Sequence, residues 1–145
     1  MKRNATAVWN GTGAEGKGTL SAPSTVLNKT PFSFKTRFKN EDGKEGTNPE
    51  ELIAAAHAGC FTMQLSFMIS GAGFTPDELQ TVATVEVNAV EGGFAITGIN
   101  LDLTGKVTGM TEADFLKIAH AAKEGCPVSK ALHATPIHLN VSFTA

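Results

Sequence analysis

Cysteine is scarce in this sequence, with two residues in a chain of 145, at positions 60 and 126. A chain of that length buries a real core without covalent staples, so the pair is not a structural disulfide framework. The two are not arranged as CxxC and do not cluster with the four histidines at zinc-finger spacing. That argues against a thioredoxin-like motif and against a structural zinc site. Basic runs are missing as well: 12 Lys and Arg are scattered among 14 Asp and Glu, for a net charge of -2. Without a polybasic stretch to neutralise phosphates, nucleic acid is excluded as an expected partner. No apolar segment of signal-peptide length follows the basic residues of MKRNATAVWNGTG, and no stretch reads as long enough to span a membrane. The expectation is a cytoplasmic protein with no membrane partner. The glycines of GTGAEGKG are not followed by GK[ST], which favours turns over a phosphate loop. Repeats, low-complexity tracts and linkers are absent too, so residues 1–145 are expected to form a single domain.

What is present alternates between strand and helix signals. The first third is rich in Gly, Thr and Ser around short alternating runs such as ATAVWNG and GKGTLSA, which read as β-hairpins. A further strand is expected over Phe34–Phe38, followed by a charged, glycine-bearing loop, KNEDGKEGT. Asn48-Pro49 then offers an N-cap with proline at the first helical position, and Glu51 completes a capping-box-like pattern. The helix that follows runs to about Gly71; its first half is lined by Ala54, Ala55, Ala56, Ala58 and Gly59, small residues that permit close approach, so burial on most sides is expected. TVATVEVNAV and FAITGINLDLTGKV alternate around Glu91-Gly92-Gly93 and predict an antiparallel hairpin with one face on the core. A second helix is expected from an N-cap at Thr111 to Glu124, closed by Gly125, then a short helix opened by Cys126-Pro127, then a last strand, IHLNVSF. The fold class is α+β, with antiparallel strands packed on a long central helix.

In a reducing compartment a cysteine pair is more often catalytic, sensing or metal-binding than a permanent crosslink. Cys60 shares a helical stripe with Met63, Gln64 and Phe67, so its thiol faces apolar neighbours, and burial alone makes a thiol inert. Catalysis there requires a cation from elsewhere. Arg37, flanked by Phe34 and Phe38, is the candidate because a guanidinium keeps its charge in a partly dry pocket. Glu50, on the first turn of the long helix, is the candidate carboxylate to hold that guanidinium bidentately. Cys126, at a helix start, has the more favourable local electrostatics. The residues alone therefore leave open which sulfur attacks first. The histidines read as structural or solvated, since only His57 shares a helix face with Cys60 and two ligands do not make a metal site.

The segments TRF at Arg37, GTNPEELIAAAHAGCF from Gly46 to Phe61, GFTP from Gly73, GFAIT from Gly93 and GCPVSKAL from Gly125 carry a resemblance to a known family. The chain resembles the OsmC/Ohr family of osmotically inducible and organic hydroperoxide resistance proteins, its OsmC branch above all, almost end to end. The resemblance implies an intertwined homodimer in which antiparallel sheets wrap around long central helices. It implies a thiol peroxidase of oxidative or osmotic stress defence, without metal, haem or flavin, that reduces organic hydroperoxides in preference to hydrogen peroxide. Position by position, Cys60 matches the peroxidatic cysteine, Cys126 the resolving cysteine, Arg37 the arginine that stabilises the thiolate, and Glu50 the residue that orients it. Met63 and Phe67 are expected to line the pocket for the organic tail, and an external dithiol, such as a lipoyl group, to reopen the Cys60-Cys126 disulfide. A thiol redox sensor or small-molecule-binding stress protein without multiple turnover is the alternative.

Overall fold

The structure, a computed structural model, describes residues 1–40 and 43–145. Glu41 and Asp42, in the expected charged loop, lie outside the described residues. The chain resolves into two compact units, Met1–Leu52 and Ile53–Ala145.

In the first unit, β1 (Thr6–Asn10), β2 (Lys17–Ser21) and β3 (Thr30–Phe32) form an antiparallel sheet in the order β1-β2-β3. Gly18 faces Phe32 across the sheet and also Trp9, whose ring lies 5.3 Å from that of Phe32. A side chain at Gly18 would collide with both rings, so glycine there lets the aromatic pair close over the strand. The segment expected as a strand over Phe34–Phe38 is instead a one-turn helix, α1 (Phe34–Phe38). The reason is local. Ser33 accepts from the Thr36 amide at 3.0 Å while Thr36 Oγ1 accepts from the Ser33 amide at 2.8 Å, a reciprocal capping box that outweighs the alternating pattern of FSFKTRF.

The long helix α2 (Pro49–Gly71) starts as expected, with Asn48 Oδ1 accepting from the Glu51 amide at 2.8 Å. The Glu51 carboxylate does not close the box. It accepts instead from Thr47 Oγ1 at 2.6 Å. Two further expectations about this helix need correction. It is long and apolar enough, by length and composition, to cross a membrane. It is also not buried on most sides within the chain: one stripe, His57, Phe61, Leu65 and Ile69, is fully buried, and much of the rest is exposed. An i, i+4 stripe packed on the core is how a helix of a globular fold buries its apolar residues.

In the second unit, β4 (Glu78–Val90) and β5 (Gly93–Lys106) form the expected antiparallel hairpin around Glu91-Gly92, where Gly92 takes φ 87°. The last strand, β6 (Ile137–Thr144), pairs parallel to β5, so this sheet is mixed rather than antiparallel throughout. Between β5 and β6 the chain crosses over through α3 (Glu112–Gly125) and α4 (Pro127–Ala131), the kind of connection a parallel pair requires. Thr111 caps α3 by accepting from the Asp114 amide at 3.2 Å. Gly125 does not end α3 in a left-handed conformation; Cys126 is the C-cap of α3 and the N-cap of α4 at once. Gly125 is small for another reason: a Cβ there would stand 3.2 Å from Gln64 Nε2, so glycine lets α3 approach α2. The core gathers Phe61, Leu65 and Ile69 of α2, Ile99, Leu101 and Leu103 of β5, and Phe115, Ala119 and Ala122 of α3. Phe115 lies over Gly105 and stacks on Phe143 at 4.6 Å.

Candidate active site

The candidate residues fall into two contacting pairs, one in each compact unit. In the first, α1 presents Arg37 to the start of α2. Arg37 Nη2 donates to Glu50 Oε1 at 2.6 Å and Nε donates to Oε2 at 3.2 Å, a bidentate pair. The Arg37 side chain is 35% exposed and that of Glu50 10%. The guanidinium also lies 4.8 Å from the centre of the Phe38 ring. Its charge is thus fixed in direction by a carboxylate and an aromatic face while one side stays open.

In the second unit α2 brings Cys60 against Cys126, and their sulfurs are 3.2 Å apart as free thiols. Cys60 is partly exposed, whereas Cys126 has no exposed surface. Because Pro127 follows Cys126 and carries no N–H, the first amides of α4 able to reach a sulfur are those of Val128 and Ser129. Burial pushes the Cys60 thiol up; the Val128 amide opposes this and the neighbouring Cys126 reinforces it. Burial acts on Cys126 in the same direction, but the Ser129 amide, the Cys60 thiol, the Ser129 hydroxyl and the Val128 amide together bring Cys126 below its ordinary value. At this distance the two thiols titrate as a pair, with Cys60 pushed up and Cys126 brought down.

Met63 and Phe67 follow Cys60 on its helical stripe but are 62% and 71% exposed. Met63 borders a groove of about 770 Å³ with Thr62, Ser66, Leu79 and Thr81.

Two residues outside the expected set join the cysteines. His57, fully buried one turn before Cys60, has Nε2 2.8 Å from Oγ of Ser129. Desolvation by burial lowers the His57 pKa, so the ring is neutral. His57 Nδ1 has no hydrogen-bond partner among the described residues. The i, i+3 spacing of His57 to Cys60 and of Cys126 to Ser129 was the signal available in the sequence.

Chemically, two reduced thiols in contact, one reachable and one enclosed, can pass between dithiol and disulfide. Among the described residues no group of three or more His, Cys, Asp or Glu could hold a metal ion.

Known proteins share this arrangement of sequence and fold. Residues 41–142 match the family of OsmC-like proteins. Peroxiredoxin OsmC of Escherichia coli (strain K12) is 51% identical over 128 residues, 88% of this chain and 87% of that protein. The organic hydroperoxide resistance protein of Xanthomonas axonopodis pv. citri (strain 306) is 33% identical over 103 residues, 70% of this chain and 68% of that protein. In three dimensions the chain resembles the OsmC-like protein of Mycoplasma pneumoniae with a TM-score of 0.76, at 19% identity and covering 100% of this chain and 99% of the other. The chain belongs to the OsmC-like protein family.

Proposed function

We propose that this chain is a cysteine-based peroxidase that reduces organic hydroperoxides to alcohols, acting as one functional domain in cytoplasmic stress defence. The observation that carries the reading is the pair of sulfurs in contact with opposite exposure. A hydroperoxide can reach Cys60 and cannot reach Cys126. Accessibility therefore ranks Cys60 first although Cys126 holds its negative charge more readily. The Arg37 guanidinium, held by Glu50 and belonging to the same chain or to a second copy, supplies the cation that stabilises the Cys60 thiolate as the attacking form.

The reaction then balances in two steps. The Cys60 thiolate attacks the distal oxygen of ROOH, the S–O bond forms, the O–O bond breaks, and RO⁻ takes the proton of the adjoining Cys126 thiol to leave as alcohol, which leaves Cys126 a thiolate. Cys126 as thiolate next attacks the Cys60 sulfenic acid; the S–S bond forms, the S–O bond breaks, and hydroxide leaves. An external dithiol, for which a lipoyl group is the proposed form, reduces the disulfide by exchange. Met63 and Phe67 cover the organic tail once a second copy of the chain closes over their stripe, which favours alkyl over hydrogen peroxide. Relatives named peroxiredoxin and organic hydroperoxide resistance protein support this chemistry.

Steady-state turnover with a dithiol tests the reading. Cumene hydroperoxide is expected to be consumed more efficiently than hydrogen peroxide, and Cys60→Ser to abolish consumption. One oxidation equivalent followed by arrest would instead identify a sensor, and thiols no faster than free cysteine would identify inert core residues.

A further inference from the structure

His57 and Ser129 repeat, one turn along each helix, the pairing made by the two cysteines. On α2 His57 stands three residues before Cys60; on α4 Ser129 stands three residues after Cys126. His57 Nε2 lies 2.8 Å from Ser129 Oγ, and the sulfurs of Cys60 and Cys126 lie 3.2 Å apart. The four residues therefore close a ring of two backbone turns and two side-chain rungs, all within the second unit. The turn that carries Cys126 and Ser129 is stiff. The Lys130 amide donates to the Cys126 carbonyl at 3.0 Å, the Cys126 amide donates to the Ala122 carbonyl at 2.9 Å, and Pro127 between them has a locked φ. Whatever holds Ser129 thus holds Cys126 through the backbone, with no bond between their side chains required. His57 and Ser129 are 0% and 6% exposed, so their hydrogen bond is shielded from water. His57 Nδ1 has no partner among the described residues, which leaves Nε2 as the anchor of the ring.

We infer that the His57–Ser129 hydrogen bond is a clasp that keeps the Cys126 sulfur in bonding register with Cys60 while Cys60 is chemically altered. Both are positioning residues that act through the backbone of α2 and α4, and the inference rests on the peroxidase reading above. Of the two rungs, the sulfur contact is the one the reaction rewrites. The hydroperoxide places an oxygen on Cys60; the Cys126 thiolate then attacks, the S–S bond forms, the S–O bond breaks and hydroxide leaves. The histidine–serine rung gains and loses no bond in these steps, so it holds the turn of Cys126 while the sulfur contact is interrupted. An S–S bond is about 2.05 Å long, so the sulfurs have only about 1 Å to close, and a clasped turn has little freedom left to lose in closing it. An unclasped turn must be ordered at that moment. That lowers the effective concentration of one thiol at the other.

Effective concentration is read from thiol–disulfide exchange, in which the dithiol of the chain and one oxidised glutathione give the Cys60-Cys126 disulfide and two reduced glutathiones. The full chain is equilibrated anaerobically in glutathione buffers, and its dithiol and disulfide fractions are counted after alkylation, with no peroxide present. One net hydrogen bond shifts an equilibrium by about two- to tenfold. Ser129→Ala, which removes a single oxygen, and His57→Leu are each expected to weaken the disulfide by that factor, raising its potential by up to about 30 mV. Ser129→Thr keeps the hydroxyl and His57→Gln places an amide where Nε2 stood, so both are expected to return the equilibrium to its wild-type value. His57→Asn, whose amide is too short to reach, should behave like His57→Leu. Because the two side chains serve one rung, Ser129→Ala and His57→Leu combined should weaken the disulfide no more than either alone. A packing role by itself predicts a lower melting temperature with an unmoved glutathione equilibrium, and that result overturns the clasp. So does a shift that Ser129→Thr and His57→Gln fail to reverse, or one that adds up in the double variant. In a single turnover with cumene hydroperoxide, Ser129→Ala should also form disulfide more slowly and accumulate more Cys60 sulfinic acid. The glutathione equilibrium needs no peroxide, so absence of peroxide consumption by the wild-type chain defeats the peroxidase reading alone.

Discussion

Arg37 and Glu50 meet through two parallel hydrogen bonds, a fork that only a guanidinium can present. A lysine at position 37 would keep the charge but offer it as a point on a flexible stem, without the planar grip that directs it. Arg37→Lys is therefore expected to slow peroxide reduction by about tenfold or more, equivalent to about 1.4 kcal/mol or more of lost transition-state stabilisation. The same change should alter folding stability by less than about 1 kcal/mol, because the side chain is about a third exposed and the ion pair is well screened. Stopped-flow turnover beside a denaturant titration separates the two quantities, and near-normal turnover would remove Arg37 from the mechanism. Residue types alone could nominate Cys60, Cys126, Arg37 and Glu50, since thiols, a guanidinium and a helix-start carboxylate each carry chemistry by themselves. His57 and Ser129 were passed over because neither does: a histidine or serine gains a role from its partner, and theirs is 72 positions away in the chain.

At the level of elements, α1 exists because of Ser33 rather than because of its own apolar pattern. FSFKTRF alternates like a strand, and only the serine followed three residues later by a threonine marks a helix start. Ser33→Ala removes the hydroxyl that satisfies the Thr36 amide, at a cost of about 1 kcal/mol. A five-residue helix has little else to hold it, so the loss should fray α1 and let Arg37 wander from Glu50. Faster amide exchange over Lys35–Lys39 and a several-fold drop in peroxide turnover are expected. Protection as in wild type would show that tertiary contacts, not the cap, shape this turn. The same contrast between local and distant causes separates the elements that were legible from those that were not. The hairpin of β4 and β5 and the starts of α2 and α3 were legible because their turn and cap residues lie within a few positions of the bonds they make. The parallel pairing of β6 was not, because its neighbour is chosen by a crossover through α3 and α4 rather than by a tight turn.

The whole chain leaves more apolar surface open than its own core can use. Met63, Phe67, Val82 and Phe94 in the second unit are each more than half exposed, and only one stripe of the long apolar helix is buried. Such surface marks an interaction site. The proposed occupant is a second copy of the chain, which would also enclose the tail pocket attributed to Met63 and Phe67. Phe67→Asp places a carboxylate in that contact, where burial without a partner costs several kcal/mol, more than one aromatic contact returns. In the chain by itself, position 67 is exposed, so the same substitution should leave the fold of the monomer intact. Sedimentation is accordingly expected to report a dimer for the wild-type chain and a monomer for Phe67→Asp, with circular dichroism unchanged. Activity decides what the contact is for. If the second copy closes the pocket, the monomeric variant loses its preference for cumene hydroperoxide over hydrogen peroxide; if it also delivers Arg37, both rates fall together. A monomeric wild-type chain, or a Phe67→Asp dimer with unaltered substrate preference, would sink the proposal that this stripe is the interface.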